Sequence, residues 1–413
     1  MIAEDVLAPC RIDPDVPVID MPNQAGFIRA VFEGADGVAL VQTQLNRLHV
    51  DVTDAAAYMS LGVLYQLIGR KDEALACQDA ALLHGRMFRE PPASGVSATF
   101  TQLVIVARGD LMTNTPIELL LDGRPVQIVR LYVDPDLPLP QTVPDHDVAM
   151  IAISESDETT GLLERLKGLC WPRPMLNPAE AILDLSRDRL WLKLQGVAGL
   201  MLPPTVRVAR DIVARVSSGA SALDDVLPEG VFPLVVRPVG SHAGKALARV
   251  DDALSLRIYL AETAAESFYL SRFIDYAGPD RHFRKYRIAL FDGRPHLAHM
   301  AVGDHWMVHY LNAGMAQSAA KRQEEAQAMA GFAQGFAARH AIALAEISRR
   351  LGLDYYALDC AETPDGRLLV FEADVGMIVH DLDPVEVYPY KRPHMQTLFA
   401  AFEAMLREKA LAS

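Results

Sequence analysis

Three carboxylates near the end of the sequence have the types and spacing for chemistry. Asp359, Glu372 and Asp374 flank an Asp365-Gly366 dipeptide, which favours a two-residue hairpin turn. Such a turn places Asp359 directly opposite Glu372, with Asp374 two residues further along the same face. Because opposed like charges destabilise a sheet, the pattern predicts a divalent cation between them, usually Mg²⁺ with substrate phosphates. The alternative is a solvated acidic edge, which the apolar run before Glu372 makes the weaker interpretation.

A candidate phosphate site precedes this hairpin. A predicted buried strand ends at Arg237 and is followed by Gly240, Ser241, Gly244 and Lys245. Glycines let backbone N–H groups approach an anion, and the cation offsets the charge of that anion. Taken alone, the pattern favours an ordinary β-turn after a core strand.

Two cations share one face of another predicted strand. Lys285 and Arg287 are two residues apart, so their side chains point the same way on an extended chain. We expect a triphosphate or a substrate carboxylate between them. The alternative is a solvated basic edge strand.

Histidines cluster after that strand, as His296 with His299 and His305 with His309. His296 and His299 have opposite strand parity, and no cysteine stands at zinc spacing, which makes zinc the minority interpretation. We expect His305, Trp306 and His309 either to line a substrate pocket or to have a purely structural role. His309 is also a candidate general base, because histidine titrates near neutral pH.

Composition limits the class of protein. The chain has 413 residues, of which 51% are hydrophobic and 22% charged, as expected of roughly two to four soluble domains. A net charge of −14 argues against a nucleic-acid or anionic-membrane partner. The four cysteines form no C-x-x-C pair, and no secretory leader or membrane-length apolar stretch is evident. We therefore expect a cytoplasmic protein.

The elements that must position these residues fall into two kinds of region. Residues 24–88 have a helical pattern, part of which resembles one tetratricopeptide (TPR) unit. A solenoid needs about three repeats, so a helical hairpin that caps the next domain is an equally good interpretation. After a linker at residues 91–95, strands alternate with helices, which predicts an α/β fold. Residues 323–351 are predicted to form one long amphipathic helix.

The order of these parts resembles the ATP-grasp superfamily, particularly carboxylate–amine ligases such as the RimK-like and D-alanine–D-alanine ligases. The resemblance covers residues 98–405. Residues 175–205 resemble the family's first conserved segment, and residues 235–244 resemble its phosphate-binding loop. Residues 268–274 stand where the adenine-clasping hinge belongs, and the acidic hairpin resembles the metal-binding D…E-x-N signature.

The resemblance implies a mixed α/β (α+β) fold with four regions. These are a helical, TPR-like domain over residues 1–92, a small parallel α/β pre-ATP-grasp domain over 98–185, and an ATP-grasp fold of two α/β subdomains over 186–275 and 276–413.

The resemblance also implies a site. The ATP-binding residues would be Arg189, Arg237, Gly240, Ser241, Gly244, Lys245, Ser271, Arg272, Phe273 and Ile274. Magnesium, with two ions expected and Mn²⁺ as an alternative, would lie on Asp359, Glu372 and Asp374. Lys285, Arg287 and His309 would be the catalytic residues.

The implied activity is ATP-dependent joining of a carboxylate to an amine through an acyl phosphate, with release of ADP and phosphate. The substrates would be a small-molecule or peptide carboxylate and an amine. A nucleotide-binding regulatory or scaffold protein, and a kinase that stops at phosphoryl transfer, are the alternatives. A protein or peptide partner on the N-terminal helices and a homodimer are further expectations, both left open.

Three features depart from the family pattern. Arg189 and Arg237 stand where the family usually has lysines, which preserves charge but changes donor geometry. Asp374 replaces the usual asparagine and adds a negative charge. Ala357 occupies a position that holds arginine in some family ligases.

Overall fold

The computed structural model of the protein describes residues 10–93, 95–241 and 244–412. Within them the chain folds as a mixed α/β structure, which confirms the predicted fold class. None of the described helices is long and apolar enough to cross a membrane.

The N-terminal region is mainly helical, and three of its helices begin at an aspartate or asparagine cap. Its elements are β1 (Arg11–Ile12), β2 (Ile19–Asp20), α1 (Gln24–Phe32), α2 (Gly37–Val50), α3 (Ala55–Leu67), α4 (Lys71–Leu82) and β3 (Met87–Glu90). Asn23, Asp36 and Asp54 each accept a backbone N–H of the helix that follows. Helices α3 and α4 form the predicted hairpin, and its likeness to a TPR unit stays a prediction.

A six-stranded sheet follows, and its central strands are almost entirely buried. Its region contains β4 (Phe100–Ala107), α5 (Ile117–Leu120), β5 (Val126–Val133), β6 (Thr142–Val143), β7 (Val148–Ile151), α6 (Thr160–Leu166), β8 (Met175–Leu176), α7 (Ala179–Leu183) and α8 (Arg187–Leu194). The strand order is β2-β3-β5-β4-β7-β8, and β4 pairs in parallel with both β5 and β7. The N-terminal region therefore contributes β2 and β3 to this sheet.

A four-stranded antiparallel sheet comes next in the chain. Its region contains β9 (Leu200–Met201), β10 (Thr205–Ala209), α9 (Arg210–Ser217), β11 (Leu234–Pro238), β12 (Ala248–Val250), α10 (Ala253–Glu262) and β13 (Ser267–Arg272). The strand order is β10-β13-β11-β12. Val213 of α9 and Leu256 of α10 are buried in one apolar cluster with Phe268, so both helices cover the same sheet.

The last region builds a five-stranded sheet. It contains β14 (Phe283–Phe291), β15 (Arg294–Gly303), α11 (Ala319–Ala330), α12 (Phe336–Arg339), α13 (Ala341–Leu351), β16 (Tyr355–Glu362), β17 (Leu368–Asp374) and α14 (Lys391–Leu411). The strand order is β15-β14-β16-β17-β9, so β9 joins this sheet by parallel pairing with β17.

The prediction of one long helix over residues 323–351 was wrong. Three helices, α11, α12 and α13, occupy the segment, and the break falls at Gly331 and Gly335. Glycine is a poor helix former, and Gly335 takes φ −97° and ψ −99°, outside the helical region.

One buried asparagine joins the six-stranded sheet to the five-stranded sheet. Asn177 follows β8 and is fully buried. Its Oδ1 accepts the N–H groups of Asp354 and Tyr355, both at 2.9 Å, and its Nδ2 donates to the Tyr355 carbonyl at 2.8 Å. This side chain therefore fixes where β16 begins.

We expect Asn177→Ala to lower the free energy of unfolding by about 2–4 kcal/mol, because it leaves buried backbone groups of β16 without partners. Urea denaturation followed by circular dichroism measures this. The control is Asn46→Ala on the exposed face of α2, which should change stability little. Equal losses in the two variants would contradict a special role for Asn177.

Candidate functional site

A cavity of about 730 Å³ lies between the four-stranded and five-stranded sheets. One side is formed by β11 and β13, and the other by β14, β16 and β17. The predicted site residues that line it are Arg237, Gly244, Ser271, Arg272, Phe273, Ile274, Lys285, Arg287, His309, Asp359 and Glu372. The predicted residues outside its lining are Arg189, Gly240, Ser241, Lys245 and Asp374.

The acidic hairpin has the predicted pairing of Asp359 with Glu372, although its turn differs from the prediction. The loop spans residues 364–366, three residues instead of two, with Gly366 at φ +81°. A register shift then falls between Asp359 and Cys360, so β17 has one extra residue in its ladder. These two one-residue differences cancel, which is why the predicted partner is correct.

The carboxylate of Asp359 is held by two cations of β14. Arg287 donates from Nε at 2.8 Å and from a terminal nitrogen at 3.1 Å, and Lys285 Nζ lies at 2.6 Å. Asp359 is only 3% exposed. Burial alone raises the pKa of Asp359, but the charges of Arg287 and Lys285 outweigh it and hold the pKa well below its usual range.

Glu372 has a cation of its own, from a residue that the sequence did not single out. Arg187, the first residue of α8, donates to the Glu372 carboxylate at 2.6 Å and to the Phe371 carbonyl at 2.9 Å. Arg187 lines the cavity, whereas the predicted Arg189 is exposed and donates to the Leu183 carbonyl. Two residues of a helix differ in direction by about 200°, so the position of the helix start decides which arginine faces inward.

Asp374 lies next to Glu372 without a cation of its own among the described residues. Burial, together with the Glu372 charge, raises the pKa of Asp374 to about 7. Burial and Asp374 likewise raise the pKa of Glu155 to about 7. Asp374 accepts the Gly376 N–H at 2.9 Å.

The three predicted metal ligands do not come together as a metal centre. Across residues 10–93, 95–241 and 244–412, no group of three or more His, Cys, Asp or Glu side chains could hold a metal ion. Lysine and arginine offset the opposed charges of Asp359 and Glu372 instead. Both oxygens of Asp359 contact Lys285 or Arg287, so Glu372 and Asp374 are the pair whose charges a cation would relieve. A metal ion on all three carboxylates stays a prediction.

Arg237 is the cation at this site that lacks a carboxylate. Within the described residues no acid lies within 4.0 Å of it, and its hydrogen bonds go to the hydroxyl and carbonyl of Ser241. Burial and the nearby Arg187 charge lower the pKa of Arg237 to about 10. An anion would stabilise such a partly buried cation beside another cation.

The loop after Arg237 has the backbone that its glycines suggest. Gly240 and Gly244 have φ of +73° and +74°, a region that side chains disfavour. Ser241 Oγ donates back to the Pro238 carbonyl at 2.8 Å, and Lys245 is exposed.

The predicted hinge lies at the end of β13. The Phe273 N–H donates to the Pro233 carbonyl at 3.0 Å, and its ring packs edge-on against Trp306 with 5.6 Å between centroids. The Arg249 guanidinium lies 4.5 Å from the Phe273 ring centre. Ser271, Arg272 and Ile274 line the same side of the cavity.

The histidines separate into different environments. His309 lines the cavity and accepts the Leu311 N–H through Nδ1, and burial beside Lys285 lowers the pKa of His309. Its imidazole is therefore neutral at pH 7. Burial and Arg287 lower the pKa of His299 well below its usual value. His305 lies against Trp306, and His296 packs on Phe291.

Among known proteins, similarity to this chain is found in solved structures. No protein-family model and no curated protein matches the chain. Among solved structures it is similar to a RimK domain ATP-grasp protein of Sphaerobacter thermophilus, with TM-score 0.40 and 16% identity over 75% of this chain and 99% of that one. It is also similar to D-alanine–D-alanine ligase of Bacillus anthracis complexed with ATP, with TM-score 0.42 and 17% identity over 76% of this chain and 98% of that one. A second structure of that ligase gives TM-score 0.41 and 15% identity over 76% of this chain and 98% of that one. Similarity at this level concerns the overall fold and carries no statement about activity.

We expect Asp359→Asn to lower the free energy of unfolding by about 3–5 kcal/mol, because it leaves two partly buried cations uncompensated. The measurement is urea denaturation at pH 7. Asp251→Asn, which removes an exposed partner of Arg249, is the control and should cost less than about 1 kcal/mol. A loss at Asp359 no larger than the control would show that the ion pairs do not stabilise the fold.

Asp374→Asn should change the pH dependence of stability. The raised pKa of about 7 lies above the unfolded value of about 4, so between these pH values the folded protein holds a proton that the unfolded chain releases. Asp374 therefore lowers the free energy of unfolding progressively as the pH rises from about 4 to about 7, and the full loss is reached above pH 7. We expect the melting temperature of the variant, relative to wild type in EDTA, to be higher at pH 8 than at pH 5 by roughly 2 °C or more.

Asp304→Asn is the control for this measurement, since Asp304 is exposed. A difference between Asp374→Asn and wild type that stays constant from pH 5 to pH 8 would contradict the raised pKa.

Proposed function

We propose that the protein is an ATP-dependent ligase that joins a carboxylate to an amine through an acyl phosphate. The observation that supports this most is the partly buried Arg237, a cation without a carboxylate partner among the described residues that faces a cavity between two sheets. An anion there would compensate Arg237, whose neighbour Arg187 is already paired with Glu372. The phosphates of ATP meet that need, and guanidinium groups bind phosphate oxygens in pairs.

The remaining cavity residues fit the other parts of a nucleotide. Ser241 contacts Arg237, and the backbone of the left-handed Gly240 and Gly244 would cover the phosphates. The hinge residues Phe273 and Ile274 line the cavity on the β13 side, where an adenine would lie against apolar surface.

The reaction would proceed in two displacements. A carboxylate oxygen of the substrate bonds to the γ-phosphorus of ATP while the bond to the β–γ bridging oxygen breaks, which releases ADP. The amine nitrogen then bonds to the acyl carbon, and the bond from that carbon to the phosphate oxygen breaks. Lys285 and Arg287 would orient the carboxylate and the phosphate, which is catalysis by positioning and charge. The neutral imidazole of His309 would accept the proton of the amine at Nδ1, which first has to release the Leu311 N–H.

Magnesium would enter with ATP. Glu372, which lines the cavity, and Asp374, two residues further along β17, are the carboxylates that would hold it, because the Glu372 charge raises the pKa of Asp374 in its absence. When bound, the ion would neutralise phosphate charge.

A nucleotide-binding protein without turnover is the second candidate. One observation favours it: Asp359 already occupies Lys285 and Arg287, which leaves neither cation free for a reacting carboxylate. For the ligase, binding of substrate must draw at least one of these cations away from Asp359.

Hydroxylamine trapping distinguishes the candidates. The protein is incubated with ATP, Mg²⁺, hydroxylamine and a panel of amino acids, and ADP and hydroxamate are measured. A ligase forms both, a phosphotransferase that forms a stable phosphate ester gives ADP without hydroxamate, and a regulatory protein binds nucleotide without either product. Glu372→Ala should abolish ADP release in the first case.

We expect Arg237→Met to weaken ATP binding by about 10–100-fold, the loss expected for one charge-assisted hydrogen-bond partner. Isothermal titration calorimetry measures this. The control is Arg215→Met, an arginine of α9 whose hydrogen bond goes to Ser221 outside the cavity. An unchanged Kd for Arg237→Met would place the phosphates elsewhere.

A further inference from the structure

The cavity continues beyond its charged part into a second part with a different lining. There the wall comes from α1, α3, α5 and the segment after β17. The side chains are apolar: Ile28, Leu67, Leu119, Met377, Ile378 and Leu382. We call this part the apolar end of the cavity.

Helix α1 is built into this wall by packing and by charge. Ile28, Leu119 and Leu382 form one buried cluster, and Leu67 and Ile378 pack against it. Arg29 donates to the carboxylate of Asp381 at 2.6 Å and also to Asp122. The Asp381 side chain is only 3% exposed, so its ion pair with Arg29 is largely shielded from solvent.

The same segment reaches the charged centre. The carbonyl of Ile378 accepts a hydrogen bond from Arg287 at 3.1 Å. Residues 378–381 therefore connect Arg287 on one side with Arg29 of α1 on the other. At the rim, Phe32 is 58% exposed and lies 6.3 Å from the His380 ring between centroids.

The charged groups at the apolar end are already paired within the protein. Glu118 binds Arg130 at 2.8 Å, and Asp383 binds Lys391 at 2.6 Å. Arg29 pairs with both Asp122 and Asp381. Within the described part of the chain, each of these charged side chains therefore has a partner of opposite charge in the protein.

We propose that the apolar end binds the side chain of the carboxylic-acid substrate, and that this side chain is a hydrocarbon group. This inference rests on the proposed function. The carboxylate would lie at Lys285 and Arg287, and the hydrocarbon group would lie against Ile28, Leu119 and Leu382. The N-terminal helices thus determine substrate specificity, because α1 supplies one wall of the subsite.

The test measures hydroxamate formation with ATP, Mg²⁺ and hydroxylamine for two pairs of acids, L-leucine and L-phenylalanine against L-glutamate and L-lysine. We expect kcat/KM to be at least about tenfold higher for the apolar acids, the discrimination typical of an apolar pocket. For Ile28→Ala, the KM of the preferred acid should rise about tenfold, with a change of less than about twofold for ATP. A preference for the charged acids, or an equal effect on the KM of ATP, would overturn the proposal.

Two further variants guard against a folding defect. Phe32→Ala removes a largely exposed ring at the rim and should raise the KM of the acid without lowering the melting temperature. Val38→Ala on α2, 67% exposed and outside the cavity, is the matched control and should change neither KM.

The subsite can also be tested without turnover. If no acid yields ADP or hydroxamate, thermal shift with the same four acids decides between the two proposals. A stabilisation by L-leucine and L-phenylalanine that Phe32→Ala weakens supports the subsite, although the ligase proposal then fails. If none of the four acids shifts the melting temperature of wild type, the subsite proposal fails.

Discussion

The ion pairs of Asp359 with Lys285 and Arg287 are the constraint on which the site depends. A carboxylate that is 3% exposed has lost nearly all its hydration, so it requires cations at contact distance. Both cations stand on β14 with their side chains on one face, and Asp359 stands on the neighbouring β16. The pairing therefore fixes which face of the five-stranded sheet is charged, and that face becomes a wall of the cavity.

The charge balance around this wall favours an anionic ligand. The cavity is lined by five cations, Arg187, Arg237, Arg272, Lys285 and Arg287, and by four carboxylates, Glu118, Asp359, Glu372 and Asp383, so one positive charge remains. The chain as a whole carries a net charge of −14. A positively charged cavity in a negatively charged protein focuses the electric field at the cavity and steers anions towards it. Since a nucleotide would compensate the excess, and since its phosphates would compete with Asp359 for Lys285 and Arg287, binding and rearrangement of these pairs are coupled.

The sequence predicted what depends on local pattern and missed what depends on distant contacts. The alternation of strands and helices after residue 95 was predicted correctly, because runs rich in apolar residues between turn signals mark buried strands. The pairing of Asp359 with Glu372 was also correct. Arg187 was missed because its inward direction depends on where α8 begins, and the cations of Asp359 lie 72 and 74 residues away on another strand. The sequence predicted that the opposed carboxylates of Asp359 and Glu372 would destabilise the hairpin unless they were neutralised. The hairpin sequence alone could not predict which residues neutralise them.

The contacts of the N-terminal helices also depend on residues that are distant in the sequence. Arg29 and Asp381 are 352 residues apart in the sequence, and nothing in the local pattern of α1 relates it to the segment after β17. In the structure that contact joins α1 to residues whose backbone carbonyl binds Arg287. A shift of α1 would therefore reach the charged centre through a short chain of hydrogen bonds, as well as widen the apolar end. Because the apolar face of α1 already packs into this wall, α1 has that much less surface for a partner.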